Sequence, residues 1–230
     1  MSDLAGRVAV VTGASSGIGA AIARALAKRG VEVHAVGRRA EGLDGLGSGV
    51  RPRILDLTDD AAIDTLAEEV MRLDVLVHCA GAISHGPIAD APVENLDRQY
   101  RANLRAPYTL TQALLPALCS GKGDVVFVNS SIYGNARAGV GQFAATQYGL
   151  AAIADALRDE VNGLGVRVLS VFPGRTATPR QARLHEAEGR PYRPERLLQP
   201  EDVAAAVLGA LELPRTAEVT DVRIRPFFKW

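Results

Sequence analysis

The sequence predicts an α/β fold, a doubly wound and mostly parallel sheet of about seven strands with helices on both faces. Short β-branched runs alternate with helical patterns along the whole chain. Several of the runs are almost continuously apolar, as strands covered on both faces must be. The first run passes through a glycine-spaced turn straight into a helical stretch. With 230 residues, 47% of them apolar, the chain can bury one sizeable core. No linker, repeat or low-complexity stretch divides it, so residues 1–230 read as a single domain.

In chain order, "VAVVTG" (8–13) is the first strand and "GIGAAIARALAKRG" (17–30) the first helix, with Gly30 placed for a left-handed cap. "VEVHAVG" (31–37) and "RILDL" (53–57) follow as strands. "TDDAAIDTLAEEVMRL" (58–73) is a helix that Thr58 or Asp59 can cap. "VLVHCAG" (75–81) is the next strand, "VENLDRQYRANLRAPYTLTQALLPAL" (93–118) a long helix, and "VVFVNSS" (125–131) another strand. "GQFAATQYGLAAIADALRDEV" (141–161) is helical, and "VRVLSVFPG" (166–174) and "VTDVRIRP" (219–226) complete the sheet. In such sheets ligands bind beyond the carboxyl ends of the strands, so functional residues are sought there.

Charge and composition remove several classes of function. Lys+Arg and Asp+Glu both number 26, which gives no electrostatic case for a nucleic-acid or anionic-membrane partner. Arginines cluster in "GRPYRPER" and "RIRP", read here as solvated loop. The start, "MSDLAGRVAVVTG", is neither a signal peptide nor a membrane span. Cys79 and Cys119 have no metal-ligand spacing, so neither a metal site nor a disulfide is expected. A soluble, reduced, cytoplasmic protein is the expectation.

The first turn reads "TGASSGIG", with Gly13, Gly17 and Gly19 spaced G-x-x-x-G-x-G. Gly13 permits the sharp turn, and the other two let a pyrophosphate approach the amides that open the next helix. A tight turn alone would also explain glycines; their place between an apolar strand and a helix favours dinucleotide binding.

Here the chain resembles the short-chain dehydrogenase/reductase family, from Val8 to at least Thr178. "TGASSGIG" is similar to that family's cofactor loop, placing Gly13, Ser15, Gly17, Ile18 and Gly19 on the nucleotide. "LDLTD" resembles its adenine-contacting segment, with Asp56 and Leu57 near the base. "HCAG" resembles its Asn-Asn-Ala-Gly segment, with Ala80 and Gly81 at the cofactor and Cys79 where asparagine is usual. "PGRTAT" looks like the loop after the sixth strand, with Pro173, Gly174 and Thr178 around the nicotinamide. The resemblance implies a Rossmann-like oxidoreductase acting on a small carbonyl or alcohol. It also implies a homodimer or homotetramer joined through the long helices and last strand; the terminal "RPFFKW" offers aromatic surface either for such contact or for docking onto the same subunit. Residues 179–200 fall where the family's substrate lid lies, and their polar, proline-bearing composition suits a cover.

The end of the second strand selects the cofactor's tail. A carboxylate there would bond the ribose 2′-hydroxyl of NAD, but Gly37 holds the position and Arg38 and Arg39 follow. A guanidinium forks onto phosphate, so NADP is expected over NAD.

In the family a tyrosine and a lysine one helical turn apart work with a serine and an asparagine. The tyrosine moves a proton at the substrate oxygen, and the lysine holds the nicotinamide ribose and lowers the tyrosine's pKa. The matching positions here are Phe143 and Gln147; the serine is Ser130, or Ser131 one residue later, and the asparagine is Asn103. Phenylalanine has no proton to give, and glutamine can bond a ribose hydroxyl but carries no charge. Tyr148 is turned about 100° from Gln147 on the helix, and Tyr133 reads as loop filler. His78 and Cys79 read as buried structural groups, and His85 sits in a loop near the pocket mouth. Three accounts fit: a disabled copy of an NADP-dependent oxidoreductase, a hydride donor to an iminium that needs no donated proton, or a non-catalytic NADP(H)-binding module.

Overall fold

The computed structural model describes residues 3–228; Lys229 and Trp230, the end of the "RPFFKW" surface, lie outside the described residues. Among the described residues, seven strands form one all-parallel sheet: β1 (Val8–Thr12), β2 (Glu32–Gly37), β3 (Val50–Ile54), β4 (Val75–His78), β5 (Asp124–Val128), β6 (Arg167–Pro173) and β7 (Asp221–Ile224). Their order is β3-β2-β1-β4-β5-β6-β7, so the winding reverses between β1 and β4. That reversal opens a crevice at the carboxyl ends of these two strands. β1, β2, β4, β5 and β6 are buried almost throughout, which their unbroken apolar runs require.

The third strand differs from expectation. It spans Val50–Ile54 rather than 53–57, with Pro52 inside it. Proline cannot donate to a ladder, and β3 is an edge strand with an open side, where that loss is tolerated. Leu55, Asp56 and Leu57 therefore lie past its carboxyl end. Asp56 turns the chain by accepting hydrogen bonds from the Thr58 amide and hydroxyl, both at 2.9 Å.

Helices α1 (Gly17–Ala27) and α7 (Pro200–Leu211) pack on one face of the sheet, where Ala20, Ile22, Leu26, Val203, Val207 and Leu208 meet Val11, Val33 and Val77. On the other face lie α2 (Asp60–Glu69), α4 (Ala106–Gly121) and α5 (Gly141–Val161). Leu110, Leu114 and Leu118 recur every fourth residue along α4, and all are buried against Leu76, Val125 and Phe127. Each such leucine contributes about 1.5–3 kcal/mol relative to exposure. Gly30 closes α1 at φ +76°, as the sequence suggests. The Asp59 carboxylate caps α2 by accepting from the Ala61 amide.

The helical run 93–118 is not one α-helix. α3 (Val93–Tyr100) passes through a π-helical turn, Arg101–Arg105, into α4. Such single π-turns concentrate at functional sites, and this one carries Asn103. The remaining helix, α6 (Pro179–Ala187), lies within the 179–200 segment and is capped by Thr178. No described helix is long and apolar enough to cross a membrane.

Candidate active site

The turn after β1 is built for close backbone approach. Gly13 has φ +66°, and a Cβ on it would lie 2.8 Å from the Ala80 amide nitrogen. A Cβ on Gly19 would lie 2.4 Å from the Gly13 carbonyl oxygen. Gly17 has φ +56°, and a Cβ there would meet Thr178 Cγ2 at 2.8 Å. Backbone atoms block a Cβ at Gly13 and Gly19, and at Gly17 the positive φ and the Thr178 side chain disfavour one. The Thr12 hydroxyl joins the two central strands, accepting from the amides of Cys79 and Ala80 at 2.9 and 3.1 Å. The turn of β1 and the end of β4 thus form one rigid floor, with helix α1 opening from it. Ile18 packs into the core beneath.

The second strand's end lies beside this floor: Ser15 Cβ is 3.4 Å from where a Cβ on Gly37 would stand. Arg38 follows, exposed. The Thr58 amide holds the Asp56 carboxyl below its ordinary pKa, and the nearby Arg38 charge acts in the same direction. Arg38 and Asp56 are therefore neighbours at one end of the crevice, with Leu57 tucked into the core behind them.

At the other end, Pro173 and Gly174 are held to the last strand, where the Gly174 amide donates to the Ile224 carbonyl at 2.8 Å. Thr178 lies against Gly17 and starts α6, accepting from the Gln181 amide at 3.2 Å. Arg180, one turn on, donates from Nη2 to the Gly81 carbonyl at 2.6 Å. The segment after β6 thus folds back across the glycine turn.

Asn103 is buried and clamps the strand-4 loop in both directions. Its Nδ2 donates to the Ala82 carbonyl at 2.8 Å, and its Oδ1 accepts from the Ala82 amide at 2.7 Å. Nδ2 also lies 3.0 Å from Thr146 Oγ1, which is 3.3 Å from Gln147 Nε2. Asn103 and Gln147 therefore meet in one buried polar network. Phe143, one turn earlier on α5, packs with Ile132, Val140 and Ala144. Ser130 follows β5, and its Oγ accepts from the Ile132 amide at 3.3 Å, whereas Ser131 is exposed and spends its amide on the Pro173 carbonyl. Both serines remain at the strand's end.

The other candidates separate clearly. The Tyr148 hydroxyl accepts from the Gly134 amide at 2.9 Å, and its ring lies against Tyr133. Tyr133 in turn stacks on Phe172, with the Arg223 guanidinium over both rings. His78 is stacked on Phe127 with Nε2 2.8 Å from the Thr111 hydroxyl, and burial pushes its pKa down to about 3. Burial likewise raises the Cys79 thiol to about 12. Neither group titrates where acid–base catalysis would use it.

The loops after β4, β5 and β6 border an open cavity of about 480 Å³, lined by His85, Arg137, Val140, Arg175, Glu188 and Arg190 among others; Val140 also packs with Phe143. The Gly86 amide donates to the Gly139 carbonyl at 2.8 Å, holding two of these loops together. Arg190, read from sequence as solvated loop, is one wall of this cavity. Arg137 was not singled out in the sequence, and Arg175, Arg180 and Glu188 lay within quoted segments without a role of their own. Arg175 lies inside the "PGRTAT" motif, and that adjacency was the available signal.

A glycine-lined turn opening a helix at the reversal point of a parallel sheet defines a dinucleotide-binding α/β protein. Comparison with known proteins narrows the class. The family model described as short chain dehydrogenase matches residues 7–189. A glycine betaine reductase of Emericella nidulans is 35% identical over 97% of this chain, which spans only 19% of that protein's length. An uncharacterized oxidoreductase of Staphylococcus haemolyticus is 33% identical over 98% of this chain and its own whole length. A metagenomic short-chain oxidoreductase solved in complex with NADP is 31% identical with a TM-score of 0.85, over 99% of this chain and 100% of that one. The chain belongs to the short-chain dehydrogenase family.

Proposed function

We propose that this chain is an NADP(H)-dependent short-chain oxidoreductase for a small carbonyl or alcohol substrate, with the proton-handling half of its centre replaced. The residues present suit the cofactor: Gly13, Gly17 and Gly19 leave space that any Cβ would fill. Ser15 and Ile18 complete that turn, and Ala80, Gly81, Pro173, Gly174 and Thr178 flank the nicotinamide end. Asp56 and Leu57 stand at the adenine end, where Arg38 would fork onto a 2′-phosphate. Bound NADPH supplies hydride to an electrophilic carbon. NADP accompanies several solved relatives, including a short chain dehydrogenase of Shigella flexneri that is 29% identical with a TM-score of 0.87.

Ser130 and Asn103 retain their parts: a hydroxyl to bond the substrate oxygen, and a clamp that positions the strand-4 loop. Phe143 keeps the bulk of a ring beside the substrate but donates no proton. Gln147 would bond a ribose hydroxyl without adding positive charge. The observation that supports this reading is the buried chain Asn103–Thr146–Gln147, which joins two of the four expected site residues in one polar network. Tyr148 is held against the Gly134 amide and the Tyr133 ring, outside the Asn103–Thr146–Gln147 network, and so is not placed to supply the missing proton. The absence of a hydroxyl at Phe143 prompts a second reading, in which the acceptor is an iminium carbon that needs hydride alone. Residues 179–200 would act as the lid over either substrate, and the family's homodimer or homotetramer contacts would use α4, α5 and β7.

Calorimetry with NADPH and NADH tests the cofactor assignment. Tighter NADPH binding that disappears in Arg38→Ala is expected; an NADH preference refutes it. Incubation of the NADPH complex with cyclic imines and ketones then separates the two acceptors.

A further inference from the structure

We propose that the open cavity between His85, Val140 and Glu188 binds the oxyanion head of a small organic acid, carboxylate or phosphate, through Arg137 and Arg175 with Arg190, in exchange for the carboxylate of Glu188. The proposal deepens the reading of this cleft as the substrate side of an oxidoreductase, and rests on it. It names the substrate class.

Four segments converge on the cavity. His85 comes from the loop after β4, Arg137 from the loop before α5, Arg175 from the loop after β6, and Glu188 and Arg190 from the end of α6. Among the described residues, three guanidinium groups and a single carboxylate line the cavity, an excess of two positive charges with His85 neutral. Walls of one sign concentrate counter-ions in a cleft. Arg175 Nη1 is buried and has no hydrogen-bond partner among the described residues. A buried donor of this kind is costly unless an acceptor arrives. No carboxylate among the described residues pairs with Arg137. Burial and the adjacent Arg190 charge both lower the Arg175 pKa, as expected where like charges crowd without enough counter-charge.

Glu188 already shows how an anion sits here. Its Oε2 is 3.4 Å from Arg175 Nη2 and 3.3 Å from Arg190 Nη1, and its Oε1 is 3.5 Å from His85 Nδ1. These are ion-pair distances rather than tight hydrogen bonds, so one carboxylate bridges three partners loosely. Glu188 stands at the end of α6 just before Gly189, which has φ +62°. The carboxylate is thus carried by the segment that would move as substrate enters. A ligand oxyanion would take over its contacts and add the fork to Arg175 Nη1.

The test is calorimetry on the full chain at low ionic strength, with and without saturating NADP⁺, using succinate, glycerol 3-phosphate and the neutral succinamide as probes. Binding of either anion but not succinamide is expected, and the better of the two identifies the head group. Arg137→Gln and Arg175→Gln should each weaken the anion roughly ten- to hundredfold. Arg137 is exposed, so its variant retains the fold even if the other does not. Glu188→Gln should tighten binding severalfold by removing the internal competitor, an effect no merely structural role predicts. Equal binding of succinamide, no anion binding at all, or weaker binding in Glu188→Gln would each overturn the proposal. Anion binding that persists in a protein unable to bind NADP⁺ would sink the oxidoreductase reading and leave this site standing.

Discussion

Replacing Asp124 tests how the far end of the sheet is held. Asp124 opens β5 at the edge opposite the cleft and is 3% exposed. Its Oδ1 accepts from Arg167 Nε at 2.7 Å and its Oδ2 from Arg215 Nη2 at 3.1 Å, with Arg7 Nη1 at 3.6 Å. Asp124→Ala leaves three guanidinium groups around an apolar methyl. Removing one partner of a buried ion pair costs about 3–5 kcal/mol. The lower part of that range applies, because Arg167 also donates to the carbonyls of Leu211, Leu213 and Ala217 and keeps them in the variant. Arg215 is partly exposed, and water compensates it further. A loss of about 3 kcal/mol lowers the Tm of a domain this size by roughly 6–12 °C. Urea and thermal unfolding followed by circular dichroism measure it, while NADPH affinity should not change. A loss below about 1 kcal/mol would show that the cluster is only a solvated charge network.

Other perturbations give equally definite outcomes. Gly19→Ala sets a methyl 2.4 Å from a backbone oxygen, so it should abolish NADPH binding and lower the Tm, read by fluorescence titration and melting. Buried neutral, His78 gains its proton only near pH 3, whereas the unfolded chain gains it near 6.5. Stability is therefore complete above pH 6.5 and falls as pH drops through that window, by about 2 kcal/mol at pH 5. Urea titrations should show that slope flattened in His78→Gln; an unchanged slope would assign it elsewhere. With its thiol pushed up to about 12, Cys79 should alkylate with iodoacetamide at pH 8 at least about a hundredfold more slowly in the native protein than in urea, measured by peptide mass spectrometry.

The sheet was legible because its signals are local. Unbroken β-branched runs can only be strands covered on both faces, and β1, β2, β4, β5 and β6 lie where those runs predict. The third strand was misplaced because Pro52 argues against a strand until its edge position is known. The π-turn at Asn103 has no composition of its own; it follows from how α3 and α4 dock, as Gly149 against Leu104 illustrates. The glycine turn was readable from spacing, because its three glycines fall within seven residues, although Gly13 and Gly17 also make room for Ala80 and Thr178. The arginine cavity was not, since it joins residues from 85 to 190 that only the fold brings together. Phe143 and Gln147 stood out for the opposite reason: the surrounding motif sets an expectation that each of them breaks.

The most direct measurement is single-turnover oxidation of bound NADPH by a ketone, comparing the protein as it stands with the Phe143→Tyr/Gln147→Lys double variant. Positioned acid–base groups contribute roughly 10²–10⁴ in rate. The double variant should therefore transfer hydride at least about a hundredfold faster, with NADPH affinity altered by no more than a fewfold. Ketone reduction equally fast in both proteins would contradict the account.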